Sequence, residues 1–199
     1  EGEVKAHQWQ DATCVAPKFH GLHNLPQIVN LYDAFTKLPT PELHISDHTY
    51  FDTTGMLGNG KNNGDGVIDA GEVLSLGFEV RNRWGMSEDT VVKVDALSPA
   101  DLPCPYVQFS ADGVNWSNSA SVNYGSVGTY STQDAGRVMD GEGTNAVWVG
   151  WENPLYVKVS PDCPNDYMVA VNVTITAKNA LNDKDSHTYT TGGSIILEV

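Results

Sequence analysis

The chain has 199 residues, 40% of them apolar, with five Trp, eight Tyr and five Phe, which suits one domain of ordinary size or one domain with an appendage and excludes a largely disordered protein. Lys plus Arg number 11 against 25 Asp plus Glu, a formal net charge of −14; such a surface repels phosphate backbones and anionic membranes, which argues against nucleic acid as a partner and makes divalent cations the natural counter-ions. No apolar run approaches the roughly 20 residues of a bilayer span, and residues 1–30 lack a basic stretch followed by an apolar one, so a soluble chain is expected, with any export signal removed or lying elsewhere.

Residues 1–26 show no sustained periodicity and hold Trp9, Cys14, Pro17, Pro26 and three histidines, His7, His20 and His23. From Gln27 to Leu38 the spacing of Ile28, Val29, Leu31, Tyr32, Phe35 and Leu38 predicts one helix with a broad apolar face, entered at Pro26 and stopped by Pro39 and Pro41. Pro39-Thr40-Pro41 reads as a boundary that divides an irregular segment plus helix, 1–40, from the remainder, 41–199. Past it, Glu42 to Ser46 alternates like a strand that Tyr50-Phe51 continues. His44 and His48 are four apart, but on a strand that spacing leaves two side chains too far apart to share a metal, and both read as exposed.

The stretch from Asn59 to Glu72, Asn-Gly-Lys-Asn-Asn-Gly-Asp-Gly-Val-Ile-Asp-Ala-Gly-Glu, has the rhythm of a calcium loop. Calcium takes roughly six to eight oxygen ligands, so a loop that binds it needs oxygen side chains at alternate residues and glycine where the backbone turns sharply. Against the pattern D-x-[DN]-x-[DN]-G-x5-E, the residues Asn63, Asp65, Gly66 and Glu72 fall in place, Asp69 adds a carboxylate, Val67 would give its carbonyl and Ile68 would dock the loop. Lys61 stands where the first ligand belongs and cannot ligate, so Asn59 or Asp52 would have to complete the shell. A plain Asn/Gly turn with scattered acids is the competing reading.

Val73–Asn82 and Thr90–Leu97 alternate apolar and polar residues and flank a turn at 84–87, the pattern of an antiparallel sheet with one wet face. Short strands follow at 106–109 and 121–124 around an Asp112-Gly113 turn; 134–142 reads as an exposed Gly/Asp-rich loop; further strands are expected at 146–149, 155–159, 167–177 and 194–199. Roughly eight to ten strands with turn signals between them make an all-β, antiparallel β-sandwich of immunoglobulin-like plan, preceded by one N-terminal helix.

Several residue groups carry candidate chemistry beyond the loop. Cys104 and Cys163 both lie in proline-marked turns where a disulfide between strand ends is easily built, though spacing leaves free thiols equally open. Trp116, Trp148 and Trp151 are either core residues or an aromatic platform for a sugar, which would make the chain a carbohydrate-binding module with cell-surface polysaccharide as partner. Asp183 and Asp185 form a second acidic pair able to hold a cation or to stay solvated in a turn. The closing strand 194–199 offers an open edge to neighbouring domains or to copies of the chain. Ser, His and Asp occur without any nucleophile on a strained turn beside a base, so no catalytic triad is read.

Asn63–Glu72, then Val80-Arg-Asn-Arg-Trp-Gly85, Val122-Asn-Tyr-Gly-Ser-Val-Gly128, Asn153-Pro-Leu-Tyr-Val-Lys-Val159, Pro164-Asn-Asp166 and Asn172–Asn179 recur in an order that resembles an accessory domain of large secreted bacterial proteins. In those proteins the domain lies between a subtilisin-like serine protease domain and a right-handed parallel β-helix, and the resemblance covers about residues 41–199. Residues 28–38 are similar to the last helix of subtilisin-like domains. The resemblance implies an extracellular or cell-surface, non-catalytic module behind the tail of a protease, and the protease's own Gly-Thr-Ser nucleophile string is absent.

Overall fold

The structure, a computed structural model, describes residues 40–97, 102–179 and 188–199. The chain divides into two units, Glu1–Pro39 and Thr40–Val199, and every described residue belongs to the second. The expected helix at 27–38, Cys14 and the pair Asp183 and Asp185 lie outside the described residues.

The described residues form an all-β unit: β1 (Leu43–Phe51), β2 (Val73–Asn82), β3 (Ser87–Leu97), β4 (Val107–Ser110), β5 (Ser119–Val127), β6 (Thr132–Asp134), β7 (Arg137–Asp140), β8 (Val147–Trp151), β9 (Leu155–Val159), β10 (Met168–Asn179) and β11 (Thr188–Glu198). Alternation explains most of them. In β10 the odd-numbered Val169, Val171, Val173, Ile175 and Ala177 are all buried, while Met168, Ala170 and Asn172 between them are exposed. Each such Val, Ile or Leu side chain contributes roughly 1.5–3 kcal/mol when fully buried.

Pairing is antiparallel throughout. One sheet runs β1-β2-β9-β4, with β6 also on β2; a second runs β11-β10-β3-β5; β7 and β8 form a separate ribbon. The chain crosses between the two larger sheets from β2 to β3, β3 to β4, β4 to β5, β5 to β6 and β9 to β10. Leu74, Leu76, Phe78 and Val80 of the first sheet share one core with Val92, Val94, Val171 and Val173 of the second, an arrangement consistent with a β-sandwich. Tyr124 on β5 reaches across this core, and its hydroxyl oxygen accepts the Phe78 amide at 3.0 Å. That amide needs it: β9 pairs with β2 only at 73–76 and β6 only at 79–81, so Phe78 falls in the gap between two ladders. Burial pushes the Tyr124 phenol far above the ordinary tyrosine range.

Two expectations are corrected. The stretch 134–142 is not simply an exposed loop: β6 ends at Asp134, and 137–140 pairs with β8 as β7, although all four residues of β7 are exposed, which is why nothing in its pattern marks a strand. The second concerns β2, whose outer face is dry from Val73 to Gly77 and turns wet only at Glu79 and Arg81. Ser75 is 4% exposed, and Trp151 from β8 lies over Gly77, where a Cβ would stand 2.2 Å from the indole. The Trp151 ring nitrogen donates to the Thr49 carbonyl at 2.9 Å, while Trp148 packs edge-on against both Phe51 and Trp151. Glycine at 77 is what lets an indole rest directly on the strand backbone.

Candidate metal centre

The loop between β1 and β2 is shaped by consecutive Asx turns. The Asp65 amide donates to Asn63 Oδ1 at 2.9 Å and the Val67 amide to Asp65 Oδ1 at 2.8 Å, so each acidic or amide side chain folds back over the residue two ahead. Gly64 and Gly66 occupy the intervening left-handed positions, φ 76° and 84°, which side chains with a Cβ rarely adopt. The turns draw three predicted ligands together: Asn63 Nδ2 donates to Asp65 Oδ2 at 2.9 Å and to Asp69 Oδ2 at 3.2 Å. Ile68, 3% exposed, seats the loop in the core as expected, and Val67 turns its side chain outward, 56% exposed.

Glu72 is fully buried, and both its carboxylate oxygens accept backbone amides, Oε1 from Asn63 at 3.2 Å and Oε2 from Asp69 at 2.9 Å. Its side chain therefore clasps the two ends of the acidic arc. Asp52, 6% exposed at the end of β1, accepts the Gly66 amide through Oδ2 at 3.2 Å, and so belongs to the same arc. Thr54 and Tyr50 complete the attachment, their hydroxyls donating to the carbonyls of Asn63 and Gly66.

Asn59 has another task. Its Nδ2 donates to the Gly71 carbonyl at 2.9 Å and its Oδ1 accepts the Lys61 amide at 3.0 Å, which fastens the base of the loop. Sequence reasoning passed over Asn62, which is buried and pairs with both the N–H and the C=O of Val73 as a neighbouring strand would, while also bonding the Asp52 carbonyl. A single asparagine among three in this stretch carries no spacing signal for such a role.

The donor set suits a hard cation. Asp52, Asp65, Asp69 and Glu72 place four carboxylates in one loop, two of them buried, and among the described residues none has a Lys, Arg or His partner at salt-bridge distance. Neutral N–H groups are their partners instead, and buried carboxylates ordinarily require a counter-charge. Among the described residues no group of three His, Cys, Asp or Glu side chains is already gathered as a metal cluster. The oxygens available are thus a mixture of carboxylate, Asn63 amide and main-chain carbonyl, the Val67 carbonyl included, which is the mixture calcium accepts and zinc does not.

The other candidates are distributed as follows. Trp148 and Trp151 meet at 4.6 Å with their planes at 86°, and Trp151 is 7% exposed, so this pair forms a wedge over β2. Trp116 lies apart from them, with Lys158 Nζ 5.5 Å from its ring. Arg137 stacks 4.5 Å over Trp148 and is paired with Asp134 and Glu79. Cys104 and Cys163 are both buried and both free thiols. His44 and His48 line a groove of about 490 Å³ between β1 and β11 together with Ser46, whose hydroxyl donates to Glu79 at 2.7 Å rather than to an imidazole. Burial, and after it Arg83 and Arg81, hold the His44 pKa below the ordinary histidine value.

No protein-family model matches the chain, and no curated protein matches it.

Proposed function

We propose that the chain is a non-catalytic, calcium-stabilised β-sandwich of an extracellular protein, with the β1–β2 loop as the binding site. The observation that carries this reading is the pair of buried carboxylates, Asp52 and Glu72, in a loop of Asx turns whose acids have only neutral partners. Asp65, Asp69, Asn63 and the Val67 carbonyl supply the remaining oxygens. An ion bound only by the folded form stabilises it by mass action, and the loop then holds the end of β1 rigidly against the start of β2. Weak sites of this type work at the millimolar calcium found outside cells, which supports an extracellular or cell-surface setting.

The role is that of a rigid spacer, docking element or assembly unit, as in the secreted bacterial accessory domains that the ordered motifs resemble. Crossovers from β3 to β4 and from β9 to β10 between the two larger sheets support an immunoglobulin-like plan. β11 supports assembly: it pairs with β10 along its length, its other side is an edge of the sheet, and from Thr188 to Leu197 it carries no charge. Thermal melting in calcium and in EGTA tests the metal reading, with a higher midpoint expected in calcium for the native chain and not for Asp65→Ala; equal midpoints for the native chain would remove it. Mass in solution with and without chelator distinguishes a monomeric spacer from an assembly unit.

A further inference from the structure

Two of the crossovers between the larger sheets, β3 to β4 and β9 to β10, run side by side where β4 pairs with β9, and each carries a cysteine. Cys104 lies on the β3–β4 crossover, where its amide donates to Ala96 at 3.2 Å and Asn118 Nδ2 holds its carbonyl at 2.7 Å. Cys163 lies on the β9–β10 crossover. β4 and β9 pair with Val107 opposite Val159, and the Ser160 amide extends that ladder by bonding the Tyr106 carbonyl at 2.7 Å. The chain then turns back at once, the Cys163 amide donating to the Ser160 carbonyl at 3.0 Å, while Cys104 is two residues before Tyr106 on the facing strand. The two thiols belong to one core cluster, 1% and 6% exposed, beneath Tyr106 and Tyr167, whose rings meet edge-on at 4.9 Å. Burial, and after it the neighbouring Cys104, push the Tyr167 phenol above the ordinary tyrosine range, with Cys163 adding to the effect.

We propose that Cys104 and Cys163 are a modification site, oxidised to one intramolecular disulfide that ties the two crossovers together. Cys104 and Cys163 lie two and three residues beyond the last bonded pair of that ladder, Tyr106 and Ser160, and share one buried cluster, which brings them near the Cα separation of about 4.4–6.8 Å that a disulfide spans. The oxidant is a disulfide of the glutathione class. The Cys163 thiolate attacks one sulfur of that disulfide, forming a mixed disulfide and releasing one thiol; the Cys104 thiolate then attacks Cys163 Sγ, forming the protein bond and expelling the second thiol. Two protein thiols lose two protons and two electrons, and one external disulfide becomes two thiols. Burial, and then the neighbouring Cys104, push the Cys163 thiol up, so thiolate is scarce in the finished fold. Bond formation therefore belongs to the folding stage, while the crossovers are still open to solvent, and the completed bond is shielded from reductant.

The test is to refold the reduced, denatured full chain in a glutathione redox buffer, with Cys14→Ser in parallel, and to read intact mass and a non-reducing peptide map. The expected result is a loss of two hydrogens in both proteins and one linked peptide pair carrying Cys104 and Cys163. The melting midpoint should then fall on the order of 10 °C on reduction, since the bond closes a loop of about 60 residues. Complete alkylation of both thiols in denaturant without reductant, a glutathione adduct in place of the link, or a link through Cys14 would each overturn the proposal. So would a Cys163→Ser protein whose melting still depends on reductant.

Discussion

Replacing Glu72 with Gln probes the candidate metal centre without changing its shape. Glu72 is fully buried and its two oxygens accept the Asn63 and Asp69 amides at 3.2 and 2.9 Å. Glutamine keeps one acceptor oxygen and turns the other position into a donor, so one buried N–H faces another N–H; an unsatisfied buried donor costs about 1–3 kcal/mol. Relief of an uncompensated buried charge offsets part of this in the absence of metal. For the native chain, a site with a dissociation constant of about 0.1–1 mM, the range of extracellular modules, gains roughly 1–2.3 kcal/mol in about 5 mM calcium. In a unit of this size that corresponds to a rise of roughly 2–9 °C in melting midpoint. Circular-dichroism melting of both proteins in calcium and in EGTA separates the two contributions: the variant should melt somewhat lower in EGTA and lose most of the calcium-dependent rise. A variant that keeps the whole rise would show that Glu72 only clasps the backbone and that the ion, if bound, sits elsewhere.

Three further outcomes follow from the packing and the charges. Gly77→Ala should destabilise the fold by about 1–3 kcal/mol, because the new Cβ meets the Trp151 indole at 2.2 Å, and in a Trp151→Ala background the penalty should largely disappear; an additive double mutant in urea titrations would contradict the close approach. Tyr124→Phe should cost about 1–3 kcal/mol by orphaning the Phe78 amide between two ladders, and an unchanged urea midpoint would mean that amide has another partner. His44 should titrate below 6.5 by NMR. The folded form then holds that proton less tightly than the unfolded chain, so its contribution is intact above pH 6.5 and stability falls as pH drops from 6.5 toward the folded pKa; His44→Gln should flatten that slope in pH-dependent melts.

Strands with one buried face were legible because alternation is a direct record of it. β2 and β9 fall where their patterns place them, and β10 begins within a residue of its expected start. What lacked a pattern was missed. β7 buries none of its residues, and β11 begins with Thr-Tyr-Thr-Thr-Gly-Gly, a run in which polar residues and glycines mask a strand that depends on its backbone pairing with β10. The dry first half of the outer face of β2 was invisible for another reason: it depends on Trp151, distant in sequence, meeting a glycine. In the loop, the acids and glycines announced the Asx turns, because those turns need oxygen side chains two residues apart. The division of labour among the asparagines was not legible, since Asn59, Asn62 and Asn63 offer the same amide and differ only in what surrounds them.

That division also sets how an ion would arrive. Asn59 and Asn62 hold the base of the bend through uncharged amide contacts to Gly71, Lys61, Asp52 and Val73, alongside the Asx turns and the Glu72 clasp. A backbone already bent surrenders little chain entropy on loading, and only the acidic side chains would have to gather. Uptake and release of an ion there should therefore be rapid and reversible, leaving the surrounding strands in place, so that it would adjust the durability of a finished domain instead of triggering its formation.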